Sequence, residues 1–179
     1  LKHKNFIRLL PAQKKFLDEI GDIKGNLIIQ MPPGSGKTFL AMIAVLLGLQ
    51  KGERCLYLSP YISINRQVIH EYGELFEELG YSTVRLDGSC RATKAELESA
   101  NFVVSMYESA LIDTLSRKDW TKDFDLVIVD ELTHLSSWSS KLSVGNLGTD
   151  RSTKLDVLIT LLKDSSRIIT LSSRFGGTE

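Results

Sequence analysis

The stretch QMPPGSGKTFL, residues 30–40, lies between two apolar runs and decides the fold. A strand pattern over residues 26–31 precedes it, and a helical pattern over Lys37–Gln50 follows it. Gly34 and Gly36 allow the backbone to curl, so that successive N–H groups point at the oxygens of a phosphate. The start of the helix presents its positive dipole end to the same anion. The stretch therefore predicts a loop that binds the phosphates of a nucleotide.

Each residue type in this loop has a chemical role. Lys37 is predicted to reach the β- and γ-phosphates, and the Thr38 hydroxyl to ligate Mg²⁺. The general pattern has a glycine where Met31 stands. A glycine-rich turn with an exposed lysine is the alternative, but the strand, the loop, the Lys-Thr pair and the apolar helix agree on a phosphate loop. The predicted nucleotide-binding residues here are Pro33, Gly34, Ser35, Gly36, Lys37 and Thr38.

A second acidic site follows another apolar run. Leu126–Val129 is apolar, and Asp130 and Glu131 come directly after it. Asp130 is predicted to hold Mg²⁺ through its water shell, and Glu131 to take the proton from the attacking water. A helix cap is the alternative for an isolated Asp-Glu pair. Together with Lys37 the pair predicts a catalytic site that uses ATP and Mg²⁺.

The rest of the chain alternates short apolar or β-branched runs with helical patterns. Strands are predicted over residues 26–31, 54–59, 82–86, 101–106, 125–130 and 167–172. Helices are predicted at Ala12–Ile20, Lys37–Gln50, Ile64–Leu79, Ala92–Ser99, Tyr107–Ser116 and Lys154–Lys163. Several strands are apolar throughout, which is typical of strands covered on both faces. We expect one α/β domain over residues 1–179, with a mostly parallel central sheet and helices on both faces.

The composition of the chain limits which partners and cellular locations can be inferred for it. The 22 basic residues balance the 22 acidic residues, so no global charge points to nucleic acid or to a membrane. The longest apolar run, Phe39–Leu49, is too short for a bilayer, which needs about 20 residues. No cleavable signal peptide is visible, and we expect an intracellular protein with no membrane partner. The polar, glycine- and serine-rich residues 136–151 predict a mobile loop.

Taken together, these motifs resemble those of the first RecA-like motor domain of superfamily 2 helicases and DNA translocases. Met31–Thr38 resembles motif I, where Met or Ala often takes the leading position, and Asp130-Glu131 resembles the start of motif II. The resemblance covers nearly the whole chain. It implies a RecA-like fold and ATP-driven movement on nucleic acid or remodelling of it, with DNA favoured over RNA. The branch stays open among Swi2/Snf2-like or phage-type translocases, viral origin-binding helicases and restriction-enzyme motors.

Two turns at strand ends resemble motifs that contact the nucleic-acid backbone in this family. Residues 56–72 resemble motif Ia, and residues 102–111 resemble motif Ic. An ordinary loop between a strand and a helix is the alternative for each turn taken alone. The implied nucleic-acid contacts are Ser59, Pro60, Arg66, Ser105 and Tyr107.

Three further segments carry the resemblance or depart from it. Residues 1–22 resemble the leader that reads adenine, with Gln13 as the reading amide; a surface glutamine is the alternative. Ser172-Ser173-Arg174 resembles the coupling motif III, although Arg174 takes the usual Thr position. Thr133 stands where DEAD- and DEAH-box proteins have Asp or His, so motif II is not such a box by its letters.

The resemblance also implies a partner lobe. Motors of this family bind ATP between two RecA-like domains, and the second supplies arginine fingers. Residues 1–179 hold no second such domain, so we expect this chain alone to bind ATP weakly and to hydrolyse it poorly. A P-loop small-molecule kinase and a non-catalytic, nucleotide-gated interaction module are the alternatives. A kinase favours an arginine-rich lid near its C-terminal end, whereas the arginines here are scattered.

Overall fold

A computed structural model describes residues 10–20, 25–87, 92–116, 118, 124–131 and 151–173. The six strands in these ranges are β1 Leu27–Gln30, β2 Cys55–Ser59, β3 Thr83–Leu86, β4 Phe102–Met106, β5 Leu126–Val129 and β6 Arg167–Ser172. The helices are α1 Pro11–Glu19, α2 Lys37–Gln50, α3 Ile62–Val68, α4 Glu74–Glu78, α5 Lys94–Ser99, α6 Tyr107–Leu115 and α7 Arg151–Leu162. A π-helical segment, Ile69–Gly73, joins α3 to α4. None of the helices in these ranges is long and apolar enough to cross a membrane.

All six strands form one parallel sheet in the order β1-β6-β5-β2-β4-β3. The predicted α/β fold of RecA-like type is therefore confirmed. Since the strands are parallel, their carboxyl ends lie along one edge of the sheet. Ligands of open α/β sheets bind at this edge. The phosphate loop follows β1 at this edge, and the acidic pair follows β5.

Helices cover both faces of the sheet, which explains why β2 and β5 are apolar throughout. Every residue of these two strands is buried. On one face Tyr57 and Ile128 pack with α2, which contributes Leu40. On the other face Leu56 and Val127 pack with residues of α6 and α7. Burying a Leu or Ile side chain contributes about 1.5–3 kcal/mol to the stability of the fold. These two apolar layers therefore stabilise the strands whose carboxyl ends form the candidate site.

Several helices begin or end a few residues from their predicted bounds, as α5 does by beginning at Lys94 instead of Ala92. The helix predicted over Ile64–Leu79 begins at Ile62 and widens into a π-helical segment at Ile69–Gly73. At Gly73 a Cβ would lie 3.4 Å from Ile69 Cγ2 and 3.5 Å from Thr83 Oγ1, so β3 approaches closely there. A search for a 3.6-residue period does not detect this widening.

The last predicted helix begins earlier than expected, at Arg151 instead of Lys154. Of the predicted mobile loop, residues 136–150 lie outside the described residues, as do residues 1–9 of the leader.

Candidate nucleotide-binding site

The phosphate loop turns sharply between β1 and α2. Gly34 has φ +73° and Gly36 has φ +85°, in the left-handed region that favours glycine. A Cβ at Gly36 would lie 2.6 Å from Gln13 Nε2, so both backbone conformation and space require glycine there. No side chain caps the first turn of α2. Its N–H groups are therefore available to an anion at the helix start.

Lys37 closes over the loop that it follows. Its Nζ donates hydrogen bonds to the carbonyl oxygens of Met31, at 2.9 Å, and Pro32, at 3.1 Å. The Ser35 hydroxyl donates to the same Pro32 oxygen at 2.5 Å. The ammonium group thus lies at the loop, as its predicted role requires.

Gln13 ties helix α1 to the phosphate loop. Its side chain is 4% exposed, so the alternative of a surface glutamine is wrong. The Leu10 N–H donates to Gln13 Oε1 at 3.0 Å, and Gln13 Nε2 donates to the Ser35 carbonyl at 3.0 Å. Each end of the amide keeps capacity for one more hydrogen bond. Gln13 therefore stabilises the conformation of the phosphate loop. Its contact with adenine stays a prediction.

Asp130 is hydrogen-bonded to Tyr57, a residue for which the sequence predicted no role. Asp130 is 7% exposed, and Tyr57 Oη donates to its Oδ2 at 2.5 Å. Burial raises the pKa of the Tyr57 phenol well above its usual value, whereas the neighbouring Thr38 hydroxyl acts to lower that pKa. Burial raises the pKa of the Asp130 carboxyl, whereas the Tyr57 hydroxyl and the Lys37 charge act to lower that pKa. The signal in the sequence was a tyrosine hydroxyl among the apolar residues of β2.

The donors at this point suit magnesium. A Thr hydroxyl and a carboxylate are hard oxygen ligands, and Mg²⁺ usually takes one or two carboxylates, with waters and substrate phosphates completing the shell. Asp130 is hydrogen-bonded to the Tyr57 hydroxyl, and Thr38 lies beside the same phenol, which places the two residues close together. No group of three or more His, Cys, Asp or Glu side chains in the described ranges forms a cage for a metal. The residues present therefore fit a magnesium ion held mainly by water and phosphate.

Glu131 adopts an uncommon backbone conformation and contacts the coupling segment. Its φ is +59°, a value that costs free energy for any residue with a Cβ and often marks functional sites. Ser173 Oγ donates to Glu131 Oε1 at 3.1 Å. Ser172 is 1% exposed, and its carbonyl accepts from the Met31 N–H at 3.2 Å. Ser172 and Ser173 therefore contact motif I and the acidic pair, while Arg174 lies outside the described residues.

The predicted nucleic-acid contacts differ in their exposure. Ser59 and Ser105 are fully buried, and Tyr107 is 1% exposed. The Ser59 hydroxyl donates to Asn65 Oδ1 at 2.6 Å, within its own turn. Arg66 is exposed, whereas Pro60 is buried. This burial does not support a contact through the two serine hydroxyls or Tyr107, and a contact through Arg66 and the backbone of the turns stays a prediction.

Comparison with known proteins is consistent with this geometry. A family profile described as DEAD/DEAH box helicase matches residues 10–172. The chain belongs to this family.

Three relatives align with nearly all of the chain. The chain is 29% identical over 179 residues to the Hachiman protein HamB of Bacillus cereus, and this alignment covers 96% of the chain and 15% of HamB. It is 28% identical over 183 residues to the ATP-dependent DNA helicase Hel308 of Pyrococcus horikoshii, covering all of this chain and 24% of that protein. The identity to Hel308 of Thermococcus kodakarensis is 27% over 183 residues, again over the whole chain and 15% of the relative.

The predicted resemblance to the first RecA-like domain of superfamily 2 helicases is confirmed, although Thr133 departs from the letters that name the family. Membership rests on the match along residues 10–172 and not on motif II alone. None of these three relatives carries the name of a branch that the sequence suggested. The chain spans less than a quarter of the length of each of them.

Proposed function

We propose that this chain is the first ATP-binding motor lobe of a helicase or translocase that acts on DNA. The observation that carries the proposal is the convergence of Thr38 and Asp130 on the Tyr57 hydroxyl, which donates to the Asp130 carboxylate at 2.5 Å. The hydroxyl of motif I, at the start of α2, and the acid of motif II, after β5, therefore lie at one point beside the phosphate loop. A glycine-rich turn that binds no ligand does not require a hydroxyl and an acid to lie together beside it. A site for a magnesium nucleotide requires both groups at the metal.

The roles of the loop residues follow from their positions. The N–H groups at the start of α2 bind the phosphates, and Lys37 exchanges the Met31 and Pro32 carbonyls for phosphate oxygens. Thr38 and Asp130 hold the magnesium ion, which supplies positive charge against the phosphates when it is bound. Thr38 lies in the first turn of α2 and Asp130 directly after β5, two elements with buried cores, so these two groups are held in place before magnesium binds.

Glu131 is the proposed general base. Its carboxylate accepts from Ser173 Oγ, and its backbone at φ +59° sets the direction of the side chain. A base must lie within hydrogen-bond reach of the proton that it removes, so its orientation decides turnover. Because Ser173 belongs to the coupling segment, a shift of that segment changes the orientation of the base. This link supports the proposed coupling between hydrolysis and movement.

The proposed track for DNA runs along the edge where β2 and β4 end. Arg66 on α3 offers an exposed cation beside the first turn, and backbone groups of both turns offer donors that position a phosphate backbone. Two of the relatives above are named DNA helicases, which supports DNA over RNA. A nucleic-acid substrate also favours an intracellular location.

A second RecA-like domain is the proposed partner of this lobe, within a longer chain or as a separate protein. The short share of each relative that this chain covers supports this view. An arginine finger from such a lobe raises turnover by about 10³–10⁵ in other phosphoryl-transfer systems. We therefore expect weak binding and poor hydrolysis from residues 1–179 alone.

The test is ATP hydrolysis by the full natural polypeptide that contains this chain. It is measured with no polynucleotide and with single-stranded DNA, double-stranded DNA and RNA. Stimulation by DNA supports the motor and its substrate, and stimulation by RNA alone overturns the preference for DNA. Turnover that needs a small acceptor identifies a kinase. Binding of nucleotide without turnover under any condition identifies an interaction module.

A further inference from the structure

The register of the sheet places Tyr57 under the candidate magnesium site. Tyr57 pairs with Ile128 of β5, so the two side chains lie on the same face of the sheet. Asp130 follows two residues later and belongs to that face as well. The same face packs against α2, whose first turn carries Thr38. The fully buried Tyr57 ring therefore extends from the core to the point where β5 and α2 present these two residues.

The hydrogen bond of the Tyr57 hydroxyl has a fixed direction. A phenol has one proton to donate, and Tyr57 donates it to Asp130 Oδ2 at 2.5 Å. Burial raises the pKa of the Tyr57 phenol, and the neighbouring Thr38 hydroxyl acts to lower that pKa, which places Thr38 beside the same phenol oxygen. The phenol thus holds one carboxylate oxygen of Asp130 next to the Thr38 hydroxyl. The backbone N–H of Glu131 also interacts with this carboxylate and acts to lower its pKa, which burial raises.

We propose that Tyr57 is a positioning residue for magnesium, which orients the Asp130 carboxylate beside the Thr38 hydroxyl so that both face one ion. This inference rests on the function proposed above. A ring of the same size without the hydroxyl fills the same space in the core, but removes the hydrogen bond that orients the carboxylate. Loss of such an outer partner lowers metal affinity by about 10–100-fold in other metal sites. The contact of nucleotide with the phosphate loop does not pass through Tyr57.

The test compares Tyr57→Phe with Tyr72→Phe in the full natural polypeptide. Tyr72 is a buried tyrosine of the same core cluster, and it lies in the π-helical segment away from the phosphate loop. ADP affinity is measured in EDTA and then across a magnesium titration, and folding is checked by thermal unfolding. For Tyr57→Phe we expect an unchanged affinity in EDTA and a magnesium requirement about 10–100-fold higher. Tyr72→Phe is expected to keep the magnesium requirement of the wild type.

Three results overturn the proposal. The first is a wild-type magnesium requirement in Tyr57→Phe, whatever its thermal stability. The second is an equal loss of ADP affinity with and without magnesium, which identifies a purely structural role. The third comes from Asp130→Asn, in which a further Tyr57→Phe change is expected to have no effect, so additive losses contradict action through Asp130. A wild-type protein that binds no ADP at all refutes the proposed function instead.

Discussion

The hydroxyl of Ser173 donates to the carboxylate of Glu131 across 3.1 Å, from the end of one parallel strand to the end of its neighbour. Glu131 is the proposed base, and Ser173 lies in the segment that resembles the coupling motif. If Glu131 acts as proposed, this contact links the base to the end of β6 without any intermediate residue. We therefore expect a movement of β6 relative to β5 to change the orientation of the base.

Removing this contact is expected to reduce turnover more than binding. In Ser173→Ala the carboxylate loses one hydrogen bond, and such bonds to charged groups contribute about 1.5–3 kcal/mol. We predict that DNA-stimulated ATP hydrolysis by the full natural polypeptide falls roughly tenfold or more, while nucleotide affinity stays within about twofold. Ser165→Ala is the matched control, because the Ser165 hydroxyl bonds to the Leu162 carbonyl at the far end of β6. Equal turnover in the two variants contradicts the link.

Gly36, at the start of α2, is expected to be irreplaceable because of both its positive φ and its close contact with Gln13. Gly52 has a positive φ without such a contact, so it separates the two effects. Gly36→Ala forces φ +85° on a residue with a Cβ and brings that Cβ within 2.6 Å of Gln13 Nε2. Gly52 has φ +80°, but a Cβ added there would meet nothing within 4 Å. Gly52→Ala is predicted to lower the free energy of unfolding by about 1–2 kcal/mol and to leave nucleotide binding intact. Gly36→Ala is predicted to cost more and to abolish ADP binding, measured by denaturant unfolding and by titration.

Gln13 is expected to affect nucleotide binding in two ways. Gln13→Ala removes the bond to the Ser35 carbonyl, which weakens the loop for every nucleotide. It also removes the proposed contact with adenine, which weakens binding of ADP alone. We predict that ADP and GDP affinities both fall, and that the ADP affinity falls further. Equal losses for the two nucleotides leave the fixing of the loop as the only role of Gln13 and contradict adenine reading.

The sequence predicted the parts of the site that depend on local pattern. Gly34 and Gly36 fall in the predicted loop, and their positive φ values match the reason for which glycine was expected there. Asp130 follows its buried strand at the expected place. The acidic pair and the loop meet because parallel strands end at one edge, which is a rule of topology and not of any single residue.

What the sequence did not predict depends on contacts between distant residues. Tyr57 and Asp130 are 73 residues apart, and nothing in an apolar strand reveals which polar atom its tyrosine meets. The burial of Ser59 and Ser105 follows from helices that pack over their turns, so the exposure of a strand-end serine cannot be inferred from its position alone. The positive φ of Glu131 has no local signal, since no glycine or asparagine marks it.

The exposed arginine of α3 is expected to contribute to DNA affinity through charge. In Arg66→Ala one phosphate contact is lost, so the slope of log affinity against log salt is predicted to fall by about 0.7 for single-stranded DNA. Lys51→Ala is the control, because Lys51 is an exposed cation at the opposite end of α2 from the phosphate loop. If the slope of log affinity against log salt is the same for Arg66→Ala and the wild type, Arg66 does not contact DNA and the proposed track is contradicted.

The most direct measurement for the whole account is single-turnover ATP hydrolysis with saturating DNA, comparing the wild type with Glu131→Gln in the full natural polypeptide. The amide keeps the size of the side chain and accepts the Ser173 hydrogen bond, but it cannot take a proton. We predict that the hydrolysis rate falls by about 10²–10⁴-fold while ATP affinity changes little, as for the loss of a general base. Hydrolysis by Glu131→Gln at the wild-type rate would contradict the assignment of Glu131 and, with it, the proposed motor site.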